Sequence, residues 1–203
     1  MINDELKISL SFLRLSSNYL LLVRNALKEA IKQGNIFVVI KDHKISEKEL
    51  YNETKWSDFN IIIPILFNFY HGLELLMKGF LILKNKTNLK KTHNIKNLLN
   101  NFCVDYNENI EVVNFLKKYT DIKFMPKILS IFLKENKIGI DEFFIFLKYP
   151  TDKYSSKIYN YFKLKYNGEK GLILFKEIID DIDHLLPEAV KIYREKENKN
   201  QQL

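Results

Sequence analysis

The scarcity of chain breakers constrains the fold of this sequence more than any other feature. Only six glycines and four prolines occur among 203 residues, and residues 1–33 and 80–125 contain neither. A β-sandwich or barrel needs frequent turns, for which glycine and proline are the main residues, whereas long unbroken segments favour helices. Hydrophobic residues make up 46% of the chain, enough for one substantial core. We therefore expect one all-α domain.

Apolar residues recur at helical spacing in several segments. The predicted helices cover about residues 3–33, 46–55, 57–83, 94–102, 109–119, 126–136, 142–147 and 168–196. Capping-box spacing places Ser46 at the start of the second helix, and Thr92 and Asp141 are candidate N-caps further along. Residues 36–40 (IFVVI) have no obvious partner strand, so an extended connection is favoured there. The pattern does not assign a conformation to residues 151–167.

The chain carries no sign of export or of a disulfide. Cys103 is the single cysteine, and the first residues, MINDELKISLSF, lack the basic start of a secretory signal. Residues 59–83 are long and apolar enough to span a bilayer, but polar side chains interrupt them, which favours a core helix. We expect a cytoplasmic protein without a membrane segment.

Positive charge is concentrated in one part of the sequence. The formal charge is +7 overall, and residues 84–137 contain eleven lysines against five acids, a net of +6. Such a patch could attract the phosphates of RNA or of a nucleotide. Only three of the 32 basic residues are arginine, however, and the abundance of Lys, Asn and Ile is also typical of an AT-rich genome. Both interpretations remain open.

The segment YHGLELLMKGFLILKNKTNLKKTHNIKNLL, residues 70–99, resembles the HEPN superfamily of small helical bundles. The likeness lies in a Glu and a Lys four residues apart on an apolar helix, a polar loop, then Thr-His and a Leu-rich helix. The matching residues are Glu74, Lys78, Thr92, His93, Leu98 and Leu99. The triplet Lys148-Tyr149-Pro150 is similar to an Arg-Tyr-Pro triplet before the last helix of some HEPN proteins.

The resemblance implies an up-down HEPN-like helical core over residues 57–197. Residues 1–56 would form an N-terminal helical elaboration of the same domain, and residues 198–203 a frayed tail. HEPN proteins usually pair, so it also implies a homodimer, and two-fold pairs are the commonest oligomers. No cofactor and no metal are expected.

One departure bears on catalysis. HEPN ribonucleases typically carry an Arg followed by four to six residues and then a His, and no such pair exists here. The nearest substitute is Lys86 with His93, with six residues between them, in which the lysine would face a phosphate and the histidine would move a proton. Whether the chain is an enzyme is left open by the sequence.

Candidate binding residues fall into three groups. His71, Glu74 and Lys78 share one stripe of the main helix, where they could line a cleft or simply form a structural ion pair. Lys90 and Lys91 precede His93 at a helix start, where they could bind phosphate or organise the loop. Lys148 and Tyr149 complete the set: His71, Glu74, Lys78, Lys90, Lys91, Lys148 and Tyr149.

Two functions are compatible with these residues. The favoured one is an RNA-associated HEPN-like protein of a prokaryotic defence or toxin system, in which RNA cleavage would proceed without a metal ion. The alternative is a non-catalytic HEPN-like module that binds a nucleotide or a partner protein, such as a nucleotidyltransferase.

Overall fold

The computed structural model describes residues 4–84, 92–151, 154, 156 and 158–201, and within these ranges the chain is an α-helical bundle without a β-strand. The predicted all-α class is confirmed. The helices are α1 (Asp4–Lys32), α2 (Glu47–Thr54), α3 (Asp58–Ile82), α4 (Ile95–Asp105), α5 (Ile110–Thr120), α6 (Lys127–Asn136), α7 (Ile140–Phe146) and α8 (Glu169–Gln201).

Helix α3 lies at the centre of the bundle, packed against α1 and α4, while α8 packs against α1 and α5. The aromatic residues Phe69, Tyr70 and Phe80 of α3 are fully buried, and α1 supplies Leu20 and Leu27 to the same core. By length and composition α1 and α3 could each span a membrane; 56% of the apolar stretch of α3 is buried inside the bundle. This burial is what a core helix shows.

Helices α1 and α3 approach closely and run antiparallel. The Ser9 hydroxyl donates to the Gly79 carbonyl at 2.8 Å, and the Ser16 hydroxyl donates to the Gly72 carbonyl at 2.7 Å. A Cβ on Gly79 would lie 2.7 Å from Leu13 Cδ2, which shows how little space separates the helices. These two buried hydrogen bonds set the register of α3 along α1.

Two of the predicted helix starts need correction. Asn94, not Thr92, is the N-cap of α4: its side-chain oxygen accepts from the Asn97 amide at 2.6 Å. The Thr92 hydroxyl, two residues before this cap, accepts from the Asn94 amide at 3.2 Å. A cap must lie at the residue before the first helical turn, and that turn begins at Ile95.

The second correction concerns α7, which begins at Ile140 with Gly139 as its N-cap, so Asp141 lies inside the helix. The Asp141 carboxylate accepts instead from the Lys96 amide at 3.2 Å, in the first turn of α4. This bond joins two helix starts, α4 and α7. The capping box at Ser46 is confirmed, with the Ser46 and Glu49 side chains each bonded to the other residue's backbone amide.

The connection over residues 36–40 is irregular and forms no strand, as predicted. Just before it, Asn35 lies in the left-handed region (φ 52°) and is 2% exposed. Its side chain accepts from the Asp58 amide at 2.6 Å, and the Asp58 carboxylate accepts from the Tyr166 and Asn167 amides at 2.9 and 2.7 Å. This polar cluster joins the end of α1 and the start of α3 to the start of α8.

Near the C-terminus the structure extends the prediction. The segment with no assigned conformation contains a 3₁₀ helix, Tyr161–Leu164, which packs on α6. Helix α8 continues to Gln201, beyond the predicted end at Lys196. No glycine or proline follows Pro187, so nothing in the sequence interrupts the helix there.

Candidate functional site

The candidate site is centred on Glu74, a carboxylate on α3 that is 1% exposed. Its Oε1 accepts from Lys78 Nζ at 2.5 Å and lies 2.9 Å from Nδ1 of His93, which precedes α4. Its Oε2 lies 3.6 Å from Nδ1 of His71, a turn earlier on α3. The structure therefore brings together four residues that the sequence analysis singled out.

Neighbouring side chains keep the Glu74 carboxyl ionised. Burial alone would raise the pKa of this carboxyl, but His71, Lys78 and His93 together lower it to about 2. Lys78 is 3% exposed, so each charge of the Glu74–Lys78 pair is the main compensation for burying the other. The carboxylate is ionised at any physiological pH.

An ionised carboxylate can only accept hydrogen bonds, so His93 must carry its proton on Nδ1 and donate it to Glu74. In the neutral ring this leaves Nε2 as the acceptor. The His93 side chain is 68% exposed, and Nε2 has no partner among the described residues. A buried carboxylate thus orients an accessible imidazole.

Local structure explains why His93 reaches Glu74. The Asn94 cap begins α4 immediately after His93, and α4 packs against α3. The Asp141 carboxylate bonds to the Lys96 amide and ties the first turn of α4 to α7. The start of α4, directly after His93, is therefore held against both α3 and α7.

Aromatic rings surround His71. Its ring lies parallel to Phe67 (3° between planes, centroids 5.9 Å apart) and to Phe144 (11°, 6.4 Å), and edge-on to Tyr19 at 4.7 Å. Phe67 is four residues before His71, a spacing that predicts their contact. Tyr19 and Phe144 come from α1 and α7, which no local pattern could have indicated.

Two further predicted residues lie near or beyond this aromatic group. The Lys148 ammonium lies 4.2 Å from the centre of the Phe144 ring, so Lys148 borders the site through a cation–π contact. Tyr149 is 60% exposed, and its carbonyl accepts from the Tyr161 hydroxyl at 3.4 Å. No contact joins Tyr149 to the four central residues in the described part of the chain.

Three predicted residues, Lys86, Lys90 and Lys91, lie outside the described residues. The pairing of Lys86 with His93 therefore stays a prediction. The placement of Lys90 and Lys91 beside His93 also stays a prediction.

No three His, Cys, Asp or Glu side chains converge as metal ligands within the described ranges. On α8, Asp183 pairs with Arg24, and His184 Nδ1 bonds to the Asp180 carbonyl at 2.6 Å. The chemistry that the Glu74 site can offer is proton transfer. A carboxylate that orients a histidine and stabilises its protonated form is the usual arrangement for a general base or acid.

A scan against models of protein families, a search of curated proteins and a search of solved structures each gave no match.

Proposed function

We propose that this chain is a cytoplasmic, HEPN-like, RNA-associated protein of a prokaryotic defence or toxin system, and that it cleaves RNA by proton transfer at His93. The observation that carries the proposal is the contact between Glu74 Oε1 and His93 Nδ1, 2.9 Å, with an exposed imidazole on the other side. The net charge of +6 over residues 84–137 supports attraction of a polyanion to the same part of the chain.

In this proposal neutral His93 accepts the proton of a ribose 2′-hydroxyl at Nε2. The 2′ oxygen attacks the adjacent phosphorus, the bond to the 5′ oxygen breaks, and that oxygen takes a proton from water. The hydroxide that remains takes the proton held by His93, which returns to its neutral form. The products are a 2′,3′-cyclic phosphate and a free 5′-hydroxyl. Glu74 stays ionised throughout and stabilises the imidazolium that forms.

The test is incubation of the purified protein with total RNA or tRNA in EDTA, read on a denaturing gel. We expect cleavage by the native protein and a loss of roughly 10²- to 10⁴-fold in rate for His93→Ala, the size typical of a general base. End-group analysis should find cyclic phosphate.

His43→Ala is the matched control, because His43 is an exposed histidine beside Glu49, outside the Glu74 site. Equal cleavage by the native protein and His93→Ala would reveal a contaminating nuclease. That result, like no cleavage by the native protein, would overturn the catalytic proposal.

A second candidate is a non-catalytic HEPN-like module that binds a nucleotide or a partner protein. The observation in its favour is the burial of Glu74 and Lys78, 1% and 3% exposed, since a buried pair at i and i+4 can serve folding alone. This module would leave RNA intact in EDTA and would co-purify with a product of a neighbouring gene, such as a nucleotidyltransferase.

We also propose that two copies pair through α1. Ile8, Leu15 and Leu22 recur every seven residues on one exposed face and are 36%, 45% and 54% exposed. A two-fold pair would bury this stripe. Sedimentation velocity should show a dimer for the native chain and a monomer for Leu15→Lys/Leu22→Lys; a monomeric native chain would contradict the pairing.

A further inference from the structure

A groove of about 280 Å³ lies between α1 and α8, with Leu76 of α3 at its base. Leu76 is two residues after Glu74, about half a turn round the helix. The groove therefore opens on the side of α3 away from the candidate site. Nothing in the proposed RNA chemistry uses it.

Arginine is concentrated in this groove. The chain has three arginines among 32 basic residues, and two of them, Arg14 and Arg194, line it. Within the described part of the chain neither forms an ion pair, whereas the third, Arg24, is paired with Asp183. Glu197 is the single acid among the lining residues, so the groove keeps a positive charge.

The remaining lining is mainly aliphatic. These side chains are Leu10, Leu13, Leu76, Leu186, Ala189 and Val190. Tyr193 is the single aromatic residue among those that line the groove. A nucleobase is usually held by stacked aromatic rings, while an aliphatic wall suits an alkyl chain.

Tyr193 lies among the polar residues that line the groove. Burial raises the pKa of Tyr193, Glu197 raises it further, and Arg14 opposes the change. The hydroxyl is therefore a neutral donor close to Arg14. Guanidinium and phenol groups donate hydrogen bonds, and a carboxylate or phosphate head accepts them.

We propose that this groove binds a small anionic amphiphile: a carboxylate or phosphate head on Arg14 and Arg194, with an unbranched alkyl chain along the aliphatic wall. Charge complementarity selects the head, and the leucines select the tail. The site is independent of His93 and of any RNA cleavage.

Isothermal titration calorimetry of the full chain tests the proposal with decanoate, decyl phosphate and decanol, each below its micelle concentration. We expect one molecule of either anion per chain and binding of decanol weaker by about tenfold or more, since a charged hydrogen bond contributes roughly 1.5–3 kcal/mol. Comparing the two anions separates a carboxylate ligand from a phosphate ligand.

Substitutions in the groove test whether the ligand binds there. Arg14→Gln and Arg194→Gln should each weaken decanoate binding about tenfold, while Lys28→Gln, an exposed change on the same helix, should leave it unaltered. Val190→Trp, at a position 49% exposed, should fill the groove and abolish binding while circular dichroism shows an intact fold.

Three results would overturn the proposal. These are equal binding by all of the variants, tighter binding of adenosine monophosphate than of decanoate, and binding only to anionic phospholipid vesicles. The last two would assign the groove to a nucleotide or to a membrane surface.

Discussion

At the scale of single residues, Glu74 is the group on which the candidate site depends. We expect Glu74→Gln to lower the free energy of unfolding by about 3–5 kcal/mol, because the Lys78 ammonium would remain buried without a counter-charge. Urea unfolding followed by circular dichroism measures this change.

The double variant Glu74→Gln/Lys78→Met is the control, since it removes both charges and keeps similar volumes. It should recover most of the lost stability. A single variant as stable as the native chain would mean that the buried pair contributes nothing.

The low pKa of Glu74 predicts a specific response to acid. The pKa of this carboxyl is about 2 in the folded chain against 4.5 for an ordinary glutamate. Its contribution to stability is therefore complete above pH 4.5 and is lost as the pH falls through about 2, because the unfolded chain takes up the proton first. The gap in unfolding free energy between the native chain and Glu74→Gln should narrow over this range; a constant gap would contradict the assignment.

Much of the candidate site followed from sequence spacing, and part of it could not. Positions i, i+3 and i+7 correctly placed His71, Glu74 and Lys78 on one stripe. The approach of His93 to Glu74 depends on how α4 packs on α3, which no local spacing indicates. Tyr19 and Phe144 come from distant helices, so their contacts with His71 needed coordinates.

At the scale of helices, the close contact between α1 and α3 requires small residues on α3, and substitution tests this requirement. Gly79→Ser should destabilise the fold by about 1–3 kcal/mol, because its Cβ would lie 2.7 Å from Leu13 Cδ2. Gly139→Ser is the matched control: this N-cap position is open, and serine is favoured there. Thermal unfolding of the two variants should differ clearly, and equal melting temperatures would refute the close approach.

The capping box of α2 gives a smaller prediction. Ser46→Ala should cost about 1 kcal/mol, since the Glu49 amide loses its acceptor and the Glu49 carboxylate loses one of its donors. Lys48→Ala, at an exposed position two residues further on, serves as control. In chemical unfolding, Ser46→Ala should have a lower free energy of unfolding than the control. The reverse order would argue against the cap.

Helix positions were predictable because each helix has its own apolar period and breakers. The first residue of each helix was harder to predict. Thr92 and Asp141 are good capping residues by type, yet Asn94 and Gly139 are the N-caps of α4 and α7. Several polar residues crowd each start, and the packing of α4 against α7 decides which of them precedes the first turn.

At the scale of the whole molecule, the charge of +7 predicts that the proposed RNA binding depends on salt. The affinity for tRNA should fall by about tenfold or more between 50 and 200 mM salt, as counterion release requires for several phosphate contacts. Filter binding measures it, with His93→Ala expected to bind nearly as well as the native chain. Affinity independent of salt would exclude a phosphate-based interface.

The all-α class was predictable from the shortage of chain breakers, but the polar connections between distant parts were not. Asp58 binds amides more than a hundred residues away, at Tyr166 and Asn167. Such bonds have no periodicity, so a sequence read alone shows Asp58 as an ordinary first-turn acid.

The two serine-to-glycine hydrogen bonds between α1 and α3 also limit how the molecule can move. Sliding one helix along the other would break both bonds at once and leave two serine hydroxyls without partners in a buried interface. These helices must therefore travel as one rigid body. Exposure of the buried Glu74 carboxylate would then require displacement of His93 and α4, which packs on α3.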